Sequence, residues 1–162
     1  MKVLEFQGKE IFRSYGIQTP DGKLIQDEKT AFDLDLKFPV IVKSQLPIGG
    51  RGKLGGIKTA NSEDELKKVC EELLNSKFKG ETVKSVLVEE NIVHEREMYI
   101  SITIDKSTNQ SLLMAGSEGG VDIEKKAKNG EAKLIKRQID LDVGITSFLN
   151  NYICRELSIT NK

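Results

Sequence analysis

The segment SQLPIGGRGKLGGIK, Ser44–Lys58, carries five glycines between positions 49 and 56, with Arg51 and Lys53 set among them. The apolar run FPVIVK leads into it and ends on Lys43. Glycine backbone lets bare N–H groups approach an anion closely, and lysine and arginine supply the opposite charge. That combination is phosphate chemistry. An unliganded surface hairpin is the plain alternative, but simple linkers seldom place two cations between glycines beside a buried strand.

Three phosphate loops are built on glycine, and each needs a different setting. Gly50, Gly52 and Gly55 satisfy the spacing G-x-G-x-x-G. A dinucleotide fingerprint requires a helix directly afterwards, so that the helix N-terminus meets the pyrophosphate. Here GIKTA comes next, which reads as a strand. A P-loop ending at Gly52-Lys53 would begin at Pro47 in place of glycine and continue into Leu54, which has no hydroxyl for magnesium. The remaining pattern is a glycine loop joining two antiparallel strands and folding over the phosphates, with a lysine from a neighbouring strand, as in protein kinases and ATP-grasp enzymes. Strand, loop, strand with Lys43 at the end of the first strand is the order present.

Periodicity predicts the surrounding elements. Leu4, Ile11, Phe12 and Tyr15 predict a helix over about Glu5 to Tyr15, stopped by Gly16. Pro20 and Gly22 mark a break, KLIQ a short strand, and Asp27 to Leu36 a short helix. VIVK (Val40–Lys43) and IKTA (Ile57–Ala60) read as strands on either side of the loop. Ser62 and Glu65 form a capping box ahead of Leu66, Val69, Cys70, Leu73 and Leu74 at helical spacing. SVLVEE (Ser85–Glu90) is a strand. MYISITID alternates, with Met98, Ile100, Ile102 and Ile104 on one face, and predicts a half-buried strand joined through KSTN to SLLMAG as a hairpin. SEGGVDIE is a second glycine-bearing turn and LIKRQID a strand. Ile145, Phe148, Leu149, Tyr152 and Ile153 predict a last amphipathic helix. Helices and strands mix without strict alternation, so the expected class is α+β, in lobes, not a doubly wound sheet.

Bulk composition narrows the function classes. The chain has 162 residues, 38% hydrophobic and 31% charged, with 25 basic and 25 acidic side chains. That balance lacks the basic excess of a nucleic-acid binder. No apolar run approaches a membrane span, and the N-terminus does not read as a signal peptide. Cys70 and Cys154 lack CxxC spacing and read as buried free thiols, which suits a reducing compartment such as the cytoplasm. His94 is the lone histidine and reads as an exposed loop residue. Neither a Ser-His-Asp set nor a metal-ligand cluster is evident, so no catalytic residue is assigned within the chain.

The blocks EFQGKEIFRSYGI, VIVKSQ, GGRGKLGGIK, LVEE…EREMYISITID and MAGSEGGVDIE together resemble the ADP-forming acyl-CoA ligases of the ATP-grasp superfamily, and within them the β subunits of succinyl-CoA synthetases. The likeness extends over essentially the whole chain. It implies an ATP-grasp fold of two lobes, the second truncated. Residues 20–97 would form the small lobe with the glycine loop, and residues 1–19 plus 98–162 part of the second. It implies ATP and Mg2+ as cofactors and interconversion of ATP, succinate and CoA with ADP, phosphate and succinyl-CoA. Malate, citrate or acetate is the alternative acid, and a fragment that only packs on a partner the alternative role. The implied partner is an α subunit bearing the CoA site and a phosphohistidine, with neither nucleic acid nor membrane involved.

Residue by residue, Lys43 matches the lysine that contacts the nucleotide phosphates, and Gly50, Arg51 and Gly52 match the phosphate-covering loop. Glu89 matches the acidic hinge residue near adenine, Ile92 a position meeting adenine through its backbone, and Glu97 the glutamate that holds the ribose hydroxyls. Taken singly, Glu89 and Glu97 read equally as solvated strand-end charges, and Glu118 as either chemistry or an N-cap. Pro20 lies where ATP-using members carry proline, which implies ATP over GTP. The segments that bear the magnesium ligands in the resemblance are expected beyond Lys162, so the chain alone is expected to be catalytically silent.

Overall fold

The computed structural model describes residues 2–27, 37–120, 123–130 and 133–159. The helix expected over Asp27–Leu36 therefore lies almost wholly outside the described residues. The chain divides into two compact units, Met1–Val93 and His94–Lys162. The class is mixed helix and sheet, with antiparallel sheets throughout, as the sequence leads one to expect.

The first unit opens with α1 (Glu5–Ser14), whose start is satisfied by Gln7 Oε1 accepting from the Leu4 N–H at 2.9 Å. Next comes a four-stranded sheet, in spatial order β1 (Gly22–Ile25), β6 (Val86–Glu90), β2 (Val40–Ser44), β3 (Ile57–Ala60). β2 and β3 are antiparallel partners, with Lys43 opposite Ile57, so the glycine segment does link two antiparallel strands. One face of the central strands is β-branched and apolar because it packs on the core, whereas the other carries Ile41, Lys43, Leu87 and Glu89. Val40, Val42, Val86 and Val88 are fully buried, and α2 (Glu63–Leu73) adds Leu66, Cys70 and Leu73 to the same core. A short hairpin, β4 (Lys77–Phe78) and β5 (Glu81–Thr82), separates α2 from β6.

The α2 capping box forms in part. Ser62 Oγ accepts from the Glu65 N–H at 3.3 Å, but the Glu65 carboxylate reaches one residue further back, to the Asn61 N–H at 2.7 Å. α1 belongs to the first unit, where its polar side chains bond to β2, β6 and the glycine segment.

The second unit is a three-stranded meander, β7 (Tyr99–Asp105), β8 (Gln110–Gly116), β9 (Leu134–Ile139), with α4 (Ser147–Glu156) packed on it and α3 (Ile123–Lys128) between β8 and β9. The KSTN hairpin is present, with Asp105 opposite Gln110. Sequence periodicity does not reveal α3, whose six residues carry too short a pattern to be periodic.

β7 corrects one expectation. Register places Ile100, Ile102 and Ile104 beside Ala115, Leu113 and Ser111, the strand positions next to the core cluster. Yet they are 69%, 60% and 62% exposed. β7 is an edge strand, and the core of this unit is built by β8, β9 and α4. Alternation reports which face a residue takes, not whether anything covers it. Phe148 is likewise exposed on α4, and Cys154 is only part-buried, whereas Cys70 is buried as expected.

Truncating Leu66 to alanine should destabilise the chain by about 2–5 kcal/mol, and Ser62→Ala by about 1 kcal/mol. Urea denaturation of the two variants followed by far-UV circular dichroism checks both values and their order.

Candidate functional site

The glycine segment is less naked than its composition suggests. Arg51–Leu54 winds into a 3-10 turn bounded by Gly50 (φ 74°) and Gly55 (φ 79°), both left-handed. These two positions favour glycine on conformational grounds. Gly56 is needed for a different reason: a Cβ there would stand 2.5 Å from Ser44 Oγ. Its N–H donates to the Arg51 carbonyl at 2.9 Å, and its own carbonyl accepts from the Ser44 N–H at 2.8 Å. The base of the loop is thus sewn to β2, while a Cβ at Gly49 or Gly50 would meet nothing within 4 Å.

At that base the structure brings together three of the expected residues and two that the sequence pattern does not single out. Glu89 on β6 is 1% exposed. Its carboxylate takes Lys43 Nζ on one oxygen and Lys9 Nζ on the other. Glu5, from the first turn of α1, accepts from Lys43 at 3.1 Å, lies 3.2 Å from Lys9, and receives Arg51 Nη2 on its second oxygen. Arg51 also donates Nη1 to the Ser44 carbonyl. Five charged side chains, Glu5, Lys9, Lys43, Arg51 and Glu89, therefore form one network. Glu89 is no solvated strand-end charge. Gly22 admits this geometry, since a Cβ there would fall 2.8 Å from Glu89 Cβ where β1 crosses β6. The signal for Glu5 and Lys9 is their i, i+4 spacing on the polar side of α1, which has meaning only once the helix is docked.

The electrostatics arise from burial and contact. Burial alone would raise the Glu5 carboxyl, but hydrogen bonding to Arg51 and the Lys43 charge overcome it and hold the group down at about 2. Burial would lower Lys43, and the Glu89 and Glu5 carboxylates outweigh it and push the ammonium up. The thiol of Cys70 is raised to about 11 by burial, then by Glu71, which leaves it inert.

Beside the network lies a groove of about 740 Å³ lined by Arg13, Ile17, Thr19, Pro20, Glu90 and Ile92 among others. Arg13 Nη2 donates to the Pro20 carbonyl at 2.8 Å and braces its wall. The Thr19 hydroxyl is buried with no hydrogen-bond partner, as is that of Ser44. Ile92 is 51% exposed, just beyond the end of the strand that carries Glu89. The volume is within the range of small-molecule sites, and cations, open glycine backbone and a groove of mixed polar and apolar lining lie on one unit.

Glu97 belongs to the second unit. It is exposed, bonds His94 Nε2 at 3.1 Å, and packs under the second glycine turn, where a Cβ at Gly119 would come within 2.8 Å of Glu97 Cβ. His94 is exposed as expected but is not idle. Arg96 in the same segment donates to the carbonyls of Ser117 and Leu157. Among the described residues no group of three or more His, Cys, Asp or Glu could hold a metal ion. No helix of the described chain is long and apolar enough to cross a membrane.

An antiparallel glycine hairpin with a strand-borne lysine is a phosphate-binding device used by more than one class; here the family model for an ATP-grasp domain matches residues 2–162, and the chain belongs to the ATP-grasp family. Among curated relatives, the β subunit of ADP-forming succinate–CoA ligase from Methanocaldococcus jannaschii is 38% identical over 159 residues, 98% of this chain and 44% of that protein. The same subunit from Myxococcus xanthus is 38% identical over 171 residues, 99% of this chain and again 44% of that protein. The chain thus spans under half the length of these relatives. Among solved structures, the dinucleotide forming acetyl-coenzyme A synthetase 1 of Ca. Korarchaeum cryptofilum in complex with coenzyme A superposes with a TM-score of 0.70 at 23% identity, covering 99% of this chain and 70% of that one. ATP citrate lyase from Methanothrix soehngenii gives 0.65 at 21%, covering 89% and 36%. At those identities the likeness is one of fold.

Because the Glu5 carboxyl titrates lower folded than unfolded, its stabilisation is complete above about pH 4.5 and fades as pH falls toward 2. The stability difference between the wild type and Glu5→Gln should be flat from pH 8 to 5 and shrink below 4.5. Denaturant titrations across that range measure it, and a difference that grows on acidification would contradict the network.

Proposed function

We propose that the chain is the nucleotide-binding part of the β subunit of an ADP-forming acyl-CoA ligase acting on succinate. The observation that carries this reading is the junction of Lys43, Arg51 and the glycine hairpin beside the Pro20–Ile92 groove. Succinate is preferred over malate, citrate or acetate because the relatives at 38% identity are named for it.

In this reading the groove takes the base, with Ile92 contributing its backbone. Lys43 and Arg51 meet phosphate oxygens, and the N–H groups of Gly50 and Gly52 cover them. A lysine fixed on a strand stabilises charge that develops during phosphoryl transfer without having to reorganise. Glu89 keeps Lys43 in place. Pro20 offers no donor to a guanine O6, because a proline nitrogen carries no hydrogen, so ATP is taken over GTP. Magnesium would neutralise phosphate charge when bound. The phosphoryl group passes to a histidine on a partner α subunit, which also binds CoA, and this chain alone turns over no substrate.

Lys43→Ala, in the complex with α subunit, should lower turnover by about 2–4 kcal/mol at the transition state and leave the fold intact by circular dichroism. Calorimetric titration of the chain with ATP and GTP, and acyl-CoA formation after α subunit is added, test the reading. Wild-type turnover in the variant removes Lys43 from the site, equal affinity for the two nucleotides removes the role of Pro20, and turnover by the isolated chain refutes the division of labour.

A further inference from the structure

We infer that Glu5 is a built-in surrogate for nucleotide phosphate: it occupies the place between Lys43 and Arg51 that a phosphate would take, and an incoming phosphate exchanges with it. The inference rests on the proposed nucleotide site.

Four observations carry it. Both Glu5 oxygens are engaged, one by Lys43 and Lys9 and the other by Arg51, so a single carboxylate bridges the strand lysine and the loop arginine. Glu5 and its partners are reachable, with side chains 21%, 14%, 20% and 16% exposed for Glu5, Lys9, Lys43 and Arg51, whereas Glu89 at 2% is not. One carboxylate is therefore fixed and the other is exchangeable. The helix that bears Glu5 has no buried residue and contributes nothing to the apolar core. Its attachments near the site are ionic, together with the Phe6 N–H donated to Gln45 Oε1 at 3.1 Å, so Glu5 can swing out without opening the core. Finally, three cations face two carboxylates here, and the depressed Glu5 carboxyl reports how strongly they attract an anion.

Exchange has a measurable sign. Glu5 competes with any phosphate for the same donors and repels it, so removing its charge tightens phosphate binding. A residue that merely positioned Lys43 and Arg51 would do the opposite.

The experiment titrates this chain and Glu5→Gln with ATP and with inorganic tripolyphosphate by calorimetry at low salt. Glu5→Gln should bind both probes tighter by about tenfold or more, with the gain falling as ionic strength rises. In the wild type, 13C NMR of the Glu5 carboxyl should show its pKa climb from about 2 toward the ordinary 4.5 when tripolyphosphate binds. This second measurement decides the matter if the variant does not fold. Equal or weaker binding by Glu5→Gln, or a Glu5 carboxyl unmoved by bound tripolyphosphate, overturns the inference and leaves the nucleotide reading standing if ATP still binds. Tripolyphosphate bound with the expected gain but ATP bound no better than tripolyphosphate supports the exchange and tells against the nucleotide reading. Failure of both probes on both proteins overturns both.

Discussion

A carboxylate at 1% exposure in the middle of a sheet is the constraint on which the first unit turns. Deleting one partner of a buried ion pair costs about 3–5 kcal/mol, so the position of Glu89 ties several elements together. Its partners must reach it from elements on different sides: Lys43 from the neighbouring strand β2 and Lys9 from α1. Around it β2 pairs with Ile41 opposite Glu89, β1 brings a glycine at position 22, and α1 docks through its polar side chains with none of its residues fully buried. The cations held in place by Glu89 and Glu5 are those best situated to meet phosphate.

The loop is organised by the same logic. Its two left-handed glycines turn the chain, and its arginine folds back onto the Ser44 carbonyl and Glu5 instead of reaching outward. The hairpin base is rigid through Gly56 and Ser44, while Gly49 and Gly50 face open space. Rigid base and open rim suit a cover that must meet a ligand closely without collapsing on the strand behind it. The second glycine turn serves another end: Gly119 makes room for Glu97.

Much of this is legible in the sequence, for identifiable reasons. β2, β3, β6 and α2 announce themselves because buried β-branched runs and helical spacing are local signals. The loop between β2 and β3 is separable from a dinucleotide fingerprint because a strand, not a helix, succeeds it. Lys43, Arg51 and Glu89 stand out through the loop and the family pattern. Glu5 and Lys9 do not, because an i, i+4 pair of opposite charges on a surface helix is commonplace and only docking gives it a partner. The exposure of the β7 isoleucines is hidden from the sequence because strand alternation carries no information about neighbours. Glu65 misses its expected partner by one residue, which a spacing rule cannot resolve.

The division between what builds the first unit and what charges it has an evolutionary consequence. The apolar core draws on the sheet strands, α2 and their connections, and on nothing from residues 5–14. Substitutions at the polar positions of α1 therefore alter the electrostatics around Lys43 and Arg51 while the core keeps its packing. A lineage can retune how strongly this site attracts an anion through one helix without repacking the core, at the cost of the ion pairs that Glu5 and Lys9 supply.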